Sequence, residues 1–202
     1  HAAPILYAAL AETGYIPVTE LSTLRRLDSR LQGHADRNFT PGVEMSAGSL
    51  GMGLSFAIGV ALAAKLDSKN YRTYVLLSDG ECEEGQTWEA VLSADQFKLD
   101  NITAIVDYNG IQLSGRICDI MDLEPFIQKW QAFGWHTIDI DGHDLNEILS
   151  ACQEAEKTKG RPTVIIARTI KGKGVSFMEN NVAFHGKAPT LEEAERALEE
   201  LE

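Results

Sequence analysis

The chain has 202 residues, of which 44% are hydrophobic and 24% charged, as expected of a globular protein with one sizeable core. Its net charge of −12 argues against nucleic acid as the main partner, because phosphate backbones are bound by basic surfaces. The sequence has no apolar run of about 18 residues, so we expect no membrane span. Three widely spaced cysteines in no disulfide pattern favour a reducing, cytoplasmic setting.

The first part of the chain is predicted to be helical and then irregular. Apolar spacing predicts a short helix over Ile5–Ala11 and a second over Pro17–Leu27, with its leucines on one face. Residues 31–48 are predicted to form a long loop, and loops of that length are usually functional or disordered. A helix over Leu54–Leu66 follows, whose alanines and glycines permit close packing.

From there on, apolar strand-like runs alternate with helical patterns. This alternation predicts an α/β fold with a doubly wound, mostly parallel sheet and helices on both faces. We treat residues 1–202 as a single domain that ends in an acidic helix over residues 188–202, with Thr190 as its N-cap. The strands are predicted over Thr73–Leu77, Ile102–Val106, His136–Ile140 and Thr163–Ala167, and the helices over Glu84–Phe97, Leu123–Phe133 and Leu145–Lys157.

Polar side chains follow two neighbouring strands of this predicted sheet. Asp79 comes after the strand that ends at Leu77, and Asn109 after the strand that ends at Val106. In such sheets ligands lie beyond the carboxyl ends of the strands. The carboxylate and the amide together suit a hard metal ion that carries a phosphate-bearing cofactor. A second candidate functional loop, Lys171–His185, follows the last predicted strand.

Several known motifs fit this acidic loop poorly. An EF-hand needs Gly and Glu at its sixth and twelfth positions, where counting from Asp79 gives Glu84 and Ala90. Gly48–Gly53 has the order G-x-x-G-x-G and follows a loop, so it is a weak match to a dinucleotide fingerprint. Glu81 and Glu83 are also open to a plainer interpretation, as a solvated helix N-terminus favoured by the helix dipole.

The run from Ser78 to Gly85, with Trp88-Glu89-Ala90 and Asp107-Tyr108-Asn109-Gly110-Ile111, resembles the thiamine diphosphate motif in its transketolase form. Ser78 stands where the family usually has Gly, which changes the local turn but removes no ligand. The resemblance covers nearly the whole chain, and the ordered set of motifs is highly specific. The further motifs are His1-Ala2-Ala3-Pro4, Leu31-Gln32-Gly33-His34, Pro41-Gly42-Val43-Glu44, Gly48-Ser49-Leu50-Gly51, Asp141-Gly142-His143-Asp144, Lys171-Gly172-Lys173-Gly174 and His185-Gly186.

The resemblance implies a thiamine diphosphate-binding fold and a metal–diphosphate anchor. Asp79, the side-chain oxygen of Asn109 and the backbone carbonyl of Ile111 are the implied ligands of Mg²⁺ or Ca²⁺. Gly80 is implied to let the diphosphate approach the backbone. The resemblance also places Glu81 among the cofactor-binding residues.

The other implied site residues surround the reacting part of the cofactor. Gly48, Ser49 and Leu50 line the cofactor. His1, His34 and His185 lie about the thiazolium and the sugar, with His34 and His185 as catalytic residues that position hydroxyls and transfer protons. Glu84 is the third catalytic residue, in a carboxylate network with Glu89 at a subunit interface. The isolated His136 and His143 are predicted to be structural.

Transketolases also carry a pyrimidine-binding domain and a C-terminal domain, and we expect neither of them in this chain. The chain therefore resembles the N-terminal subunit of a split transketolase of the pentose phosphate pathway. The implied partner is a C-terminal subunit with the pyrimidine-binding domain, in a heterotetramer that moves a two-carbon ketol unit between sugar phosphates. Two alternatives stay open: a non-catalytic thiamine diphosphate-binding module, and another thiamine diphosphate enzyme such as a deoxyxylulose-phosphate synthase or an E1 dehydrogenase component.

Overall fold

The computed structural model describes residues 2–202, so the predictions for His1 lie outside the described residues. The chain divides into two compact units, residues 1–53 and residues 54–202. That residues 1–202 form a single domain therefore stays a prediction, and each unit is described by itself. No helix in the described part of the chain is long and apolar enough to cross a membrane.

The first unit is built on α1 (Ala3–Glu12), which has a proline in its first turn, where the missing N–H costs nothing. Tyr7 and Leu10 of α1 pack with Leu31 and Ala35 of the following loop. The Tyr7 hydroxyl donates to the Gln32 carbonyl at 2.8 Å and ties the loop to the helix.

The predicted second helix is wrong in extent and type. A 3-10 helix spans Val18–Thr23, and the chain then turns through Arg25 and Asp28, both with positive φ. Left-handed residues break the i→i+4 bonding pattern, so no amphipathic face forms. Leu27, which was expected on that face, is 93% exposed.

The second unit contains a four-stranded, fully parallel sheet in the order β1-β2-β6-β5, which confirms the predicted α/β class. β6 is buried from Thr163 to Ala167, as its continuous apolar run predicts. The strands are β1 (Thr73–Ser78), β2 (Ile102–Tyr108), β3 (Ile111–Gln112), β4 (Gly115–Arg116), β5 (His136–Asp141) and β6 (Thr163–Arg168); the helices are α2 (Met52–Leu66), α3 (Gly85–Gln96), α4 (Ile117–Ile120), α5 (Phe126–Ala132), α6 (Leu145–Lys157) and α7 (Leu191–Leu201).

Helices cover both faces of this sheet. Side chains of α2, α3 and α5 form the larger core with one face, around Trp130 and Trp135. α6 packs Ala151 on the other face, against Ile140 and Ile165.

Two local predictions in this unit need correction. α5 begins at Phe126 and not at Leu123, because Pro125 disfavours helical backbone at the residue before it. The segment between β2 and α5, for which the sequence predicts neither a strand nor a helix before Leu123, contains the antiparallel β3–β4 hairpin and the short α4. This hairpin lies directly after Asn109, so it belongs to the site.

The tail forms α7, and Thr190 caps it as predicted, in a reciprocal pair with Glu193. The helix has no buried residue, and Leu191, Leu198 and Leu201 are all exposed. α7 is therefore held by contacts other than a shared core.

Candidate functional site

Asp79 directly follows β1 and is 1% exposed. Its Oδ1 accepts the Gly80 N–H at 2.8 Å, and its Oδ2 accepts the Gly110 N–H at 2.5 Å. The β1–β2 register pairs Ser78 with Asp107, so the ends of the two strands meet side by side. The carboxylate therefore lies against the turn that carries Asn109 and Ile111, and the predicted metal ligands are brought together.

The amide of Asn109 has a fixed orientation. Its Nδ2 donates to the Asp107 carboxylate at 3.1 Å, and its Oδ1 accepts the Ile111 N–H at 3.0 Å. The other oxygen of Asp107 accepts the hydroxyl of Thr169. Asp107 and Thr169 thus point the amide oxygen towards the turn, as partners behind metal ligands commonly do. Sequence reasoning missed Thr169, although its place directly after β6 was a usable signal.

The electrostatics of Asp79 favour a cation. Burial, with a smaller contribution from the charge of Asp107, raises the pKa of Asp79 to about 6, against the opposing backbone N–H groups of Gly110 and Gly80. Within residues 2–202, no Lys, Arg or His side chain contributes to this shift in the pKa of Asp79. A bound divalent ion would reverse the penalty, because a nearby positive charge stabilises the ionised carboxylate.

The donor set is oxygen only and mixed in type. Within residues 2–202, no group of three or more His, Cys, Asp and Glu side chains could hold a metal ion. The candidate ligands are instead the carboxylate of Asp79, the amide oxygen of Asn109 and the carbonyl of Ile111, a set that suits Mg²⁺ or Ca²⁺ better than a soft metal. A Cβ at Gly80 would meet only Gln112, at 3.4 Å, so the backbone here is open to a close approach. The residues present fit a metal–diphosphate group.

His185 ends a 3-10 helix, Val182–His185, which packs beside β3. Its Nδ1 is buried and has no hydrogen-bond partner within residues 2–202. Burial, and then the charge of Lys171, lowers the pKa of His185 below its ordinary value. The imidazole is therefore neutral at neutral pH and can accept a proton.

Gln112 was not predicted as a site residue. It follows Ile111 on β3, and its side chain lies over Gly80. Its Nε2 is buried without a partner in the described part of the chain, which gives this wall of the site a second unsatisfied polar nitrogen besides His185. Unpaired buried donors are uncommon in folded proteins and mark places where a ligand can complete the bonding.

The two histidines predicted to be structural make ordinary structural contacts. His143 Nε2 accepts the Ile170 N–H at 2.8 Å, and His136 Nε2 lies 2.6 Å from a carboxylate oxygen of Glu154. His143 follows Gly142, where a Cβ would lie 2.5 Å from the Thr169 side chain. This tight turn braces the start of the loop that leads to His185.

In the first unit, His34 and Gly48 are neighbours. A Cβ at Gly48, where φ is +124°, would lie 3.1 Å from the His34 ring, so only glycine fits. His34 is exposed and lines an open cavity of about 550 Å³ together with Arg25 and Asp36. Leu50 is 36% exposed, and Ser49 is also exposed.

The glutamates near Asp79 differ in their surroundings. Glu81 is half-buried, and its N–H donates to the Ser78 hydroxyl at 3.0 Å, so the serine in the usual glycine position caps the turn. Glu83 is also half-buried, with one carboxylate oxygen covered and unpartnered among the described residues. Glu84, the N-cap of α3, and Glu89, within α3, are both exposed and accessible to another molecule.

The family model described as transketolase, thiamine diphosphate binding domain, matches residues 1–201. This chain belongs to the transketolase family. Among its relatives is the 6-deoxy-6-sulfo-D-fructose transketolase subunit SqwG of Clostridium sp. The two are 46% identical over 202 residues, which cover 100% of this chain and 74% of that protein. One of the subunits of the apulose-4-phosphate transketolase of Actinobacillus succinogenes is 45% identical over 201 residues, covering 100% of this chain and 72% of that protein.

Solved transketolases share the fold. The transketolase of Campylobacter jejuni superposes with a TM-score of 0.92 at 33% sequence identity, over 98% of this chain. The chain spans only 32% of that structure, and likewise 32% of the transketolase of Mus musculus, to which it is 42% identical. The predicted family and fold are both confirmed.

Proposed function

We propose that this chain is the thiamine diphosphate-binding subunit of a split transketolase, which transfers a two-carbon ketol unit between sugar phosphates. The observation that carries the proposal is the buried carboxylate of Asp79, hydrogen-bonded to the turn after β2. Its support from the comparisons is that two relatives at 46% and 45% identity are themselves called transketolase subunits.

Asp79, Oδ1 of Asn109 and the carbonyl of Ile111 would hold Mg²⁺ or Ca²⁺. The raised pKa of Asp79 and the oxygen-only donor set support this assignment. Gly80, with Glu81 beside it, forms the wall that the diphosphate approaches. When bound, thiamine diphosphate supplies the carbon nucleophile that carries the two-carbon unit, while the protein binds, orients and moves protons.

His185 serves the proton transfers of this reaction. Its lowered pKa leaves the imidazole neutral, and its covered Nδ1 is available for a new hydrogen bond. We assign the same kind of role to His34, whose ring lies beside the backbone of Gly48. By the family resemblance, His1 is assigned to the cofactor, together with Gly48, Ser49 and Leu50.

A second subunit, with the pyrimidine-binding domain, completes the site, and two copies of the pair form a heterotetramer. Glu84 and Glu89 are exposed and available to this partner. So is Phe56 of α2, which is 38% exposed. All three cysteines are free, which supports a cytoplasmic location for the assembly.

The test is reconstitution. The chain is mixed with a candidate C-terminal subunit, thiamine diphosphate and Mg²⁺, and ketol transfer is followed with xylulose 5-phosphate, apulose 4-phosphate and 6-deoxy-6-sulfofructose as donors. We expect transfer from at least one of these sugars by the pair, and none by the isolated chain. Robust transfer by the chain alone would refute the split site. Turnover of pyruvate in place of every sugar would favour the synthase or dehydrogenase alternative.

A further inference from the structure

The segment Lys171–Gly186, here called the His185 loop, is in contact with α7. The carboxylate of Glu200, in the last turn of α7, accepts the Ser176 N–H at 2.5 Å and the Ser176 hydroxyl at 2.9 Å. A negative side chain is disfavoured at a helix C-terminus by the helix dipole. The two hydrogen bonds from Ser176 offset this penalty, and they lower the pKa of the Glu200 carboxyl.

A second contact runs from α7 towards His185 through two aromatic rings. The Arg196 guanidinium lies over the Phe177 ring at 4.7 Å from its centroid. Phe177 meets Phe184 edge to face, with centroids 5.8 Å apart. Phe184 directly precedes His185, so this line of contacts joins α7 to the candidate proton-transfer residue.

The first turn of α7 is fastened as well. Lys187 Nζ donates to the Glu193 carboxylate at 2.9 Å and lies over the Phe184 ring at 4.9 Å. Glu193 is at the same time the partner of Thr190 in the helix cap. Both ends of α7 thus hold the His185 loop or the residue that follows it.

We propose that α7 is a latch that positions His185, with Glu200 and Arg196 as positioning residues. This inference rests on the proposed function, because His185 matters only if its imidazole serves the reaction. α7 has no buried residue, so its polar and aromatic contacts with the His185 loop, together with Leu201 packed beside Gly174, hold it in place. The same contacts that hold α7 in place also restrain the His185 loop.

The first experiment measures amide hydrogen exchange over residues 171–186 in the full chain. Glu200→Ala removes both acceptors of Ser176, whereas Glu200→Gln keeps one. Glu199→Ala is the matched control, because Glu199 is an exposed neighbour on the same helix. We expect exchange about tenfold faster in Glu200→Ala, an intermediate increase in Glu200→Gln and no change in the control. Equal exchange in Glu200→Ala and Glu199→Ala overturns the latch.

The second experiment uses the reconstituted enzyme. We expect Glu200→Ala to lower kcat about fivefold, with the Kd for thiamine diphosphate within about twofold of the unchanged protein, because the metal anchor lies elsewhere. Arg196→Ala should show the same pattern more weakly. Faster exchange without a loss in kcat would show that the latch does not position His185. Absence of ketol transfer by the unchanged pair would refute the proposed function instead, and the exchange data would still decide the latch.

Discussion

The proposed metal anchor and the His185 loop differ in how they are held. Asp79 is fixed by two backbone N–H groups at the ends of paired parallel strands, and it is almost fully buried. The His185 loop buries one side chain, Val175, and is fastened mainly by exposed contacts: the Ile170–His143 bond at one end and the Ser176–Glu200 bonds on its outer side.

This difference separates binding from chemistry. A rigid edge of a sheet suits the part of the site that must hold a charged cofactor in one place. A loop fastened by surface contacts opens at lower free energy than the core, which suits groups that admit substrate and move protons. Substitutions in the anchor should therefore affect cofactor affinity, and those in the loop kcat.

The largest effect is expected for Asp79→Asn. The amide lacks the charge that a divalent ion requires, and its NH₂ faces the N–H donors of Gly80 or Gly110. Magnesium-dependent binding of thiamine diphosphate to the assembled enzyme should weaken by about a hundredfold or more. Titration calorimetry measures this, with the exposed Asp67→Asn as control. Unchanged affinity in Asp79→Asn would remove Asp79 from the metal site.

A smaller effect is expected for Thr169→Val, which tests whether the anchor extends behind its ligands. The valine cannot donate to Asp107, so the carboxylate that orients the Asn109 amide loses one of its two partners. Metal affinity should fall by about tenfold, as for other residues that support a metal ligand. The same calorimetric titration, carried out with Mg²⁺ at fixed cofactor, gives the value. A drop in kcat with metal affinity unchanged would break the separation between the two regions.

The smallest effect is expected in the loop, for Gly172→Ala. Gly172 has φ +76°, and a Cβ there would lie 2.6 Å from the Met178 carbonyl oxygen, so the loop must shift. kcat should fall by about fivefold with cofactor affinity retained. Gly160→Ala is the control, because Gly160 has nearly the same φ of +75° but nothing within 4 Å of the added atom. Equal losses in the two variants would mean that backbone strain alone, and not the loop's packing, is responsible.

Much of the second unit was predictable because its signals are local. β6 was predicted from a single continuous apolar run, which is typical of a strand buried on both faces. The proximity of Asp79 and Asn109 was predicted from the rule that the carboxyl ends of parallel strands lie at the same edge of a sheet. The helix predicted over Pro17–Leu27 failed because its leucine spacing carries no information about the positive φ of Arg25 and Asp28.

Contacts between distant segments were beyond reach for a different reason. Thr169 meets Asp107 across 62 positions, and Ser176 meets Glu200 across 24. No periodicity links such residues, so only the folded chain brings them into register. The side chains proposed to bind directly were therefore named from the sequence, and those that hold them in place were not.

The carboxylate of Asp79 is buried with the charge of Asp107 nearby, and a bound cation would relieve the cost of that burial. Binding of the metal and cofactor should therefore stabilise the folded chain. A ligand that binds only the folded chain stabilises it by about 2.7 kcal/mol at a hundred times its Kd. Native proteins are stable by only about 5–15 kcal/mol, so this is a substantial share. Depletion of thiamine or magnesium should therefore expose the chain to proteolysis as well as silence it, and vitamin supply would set its abundance along with its activity.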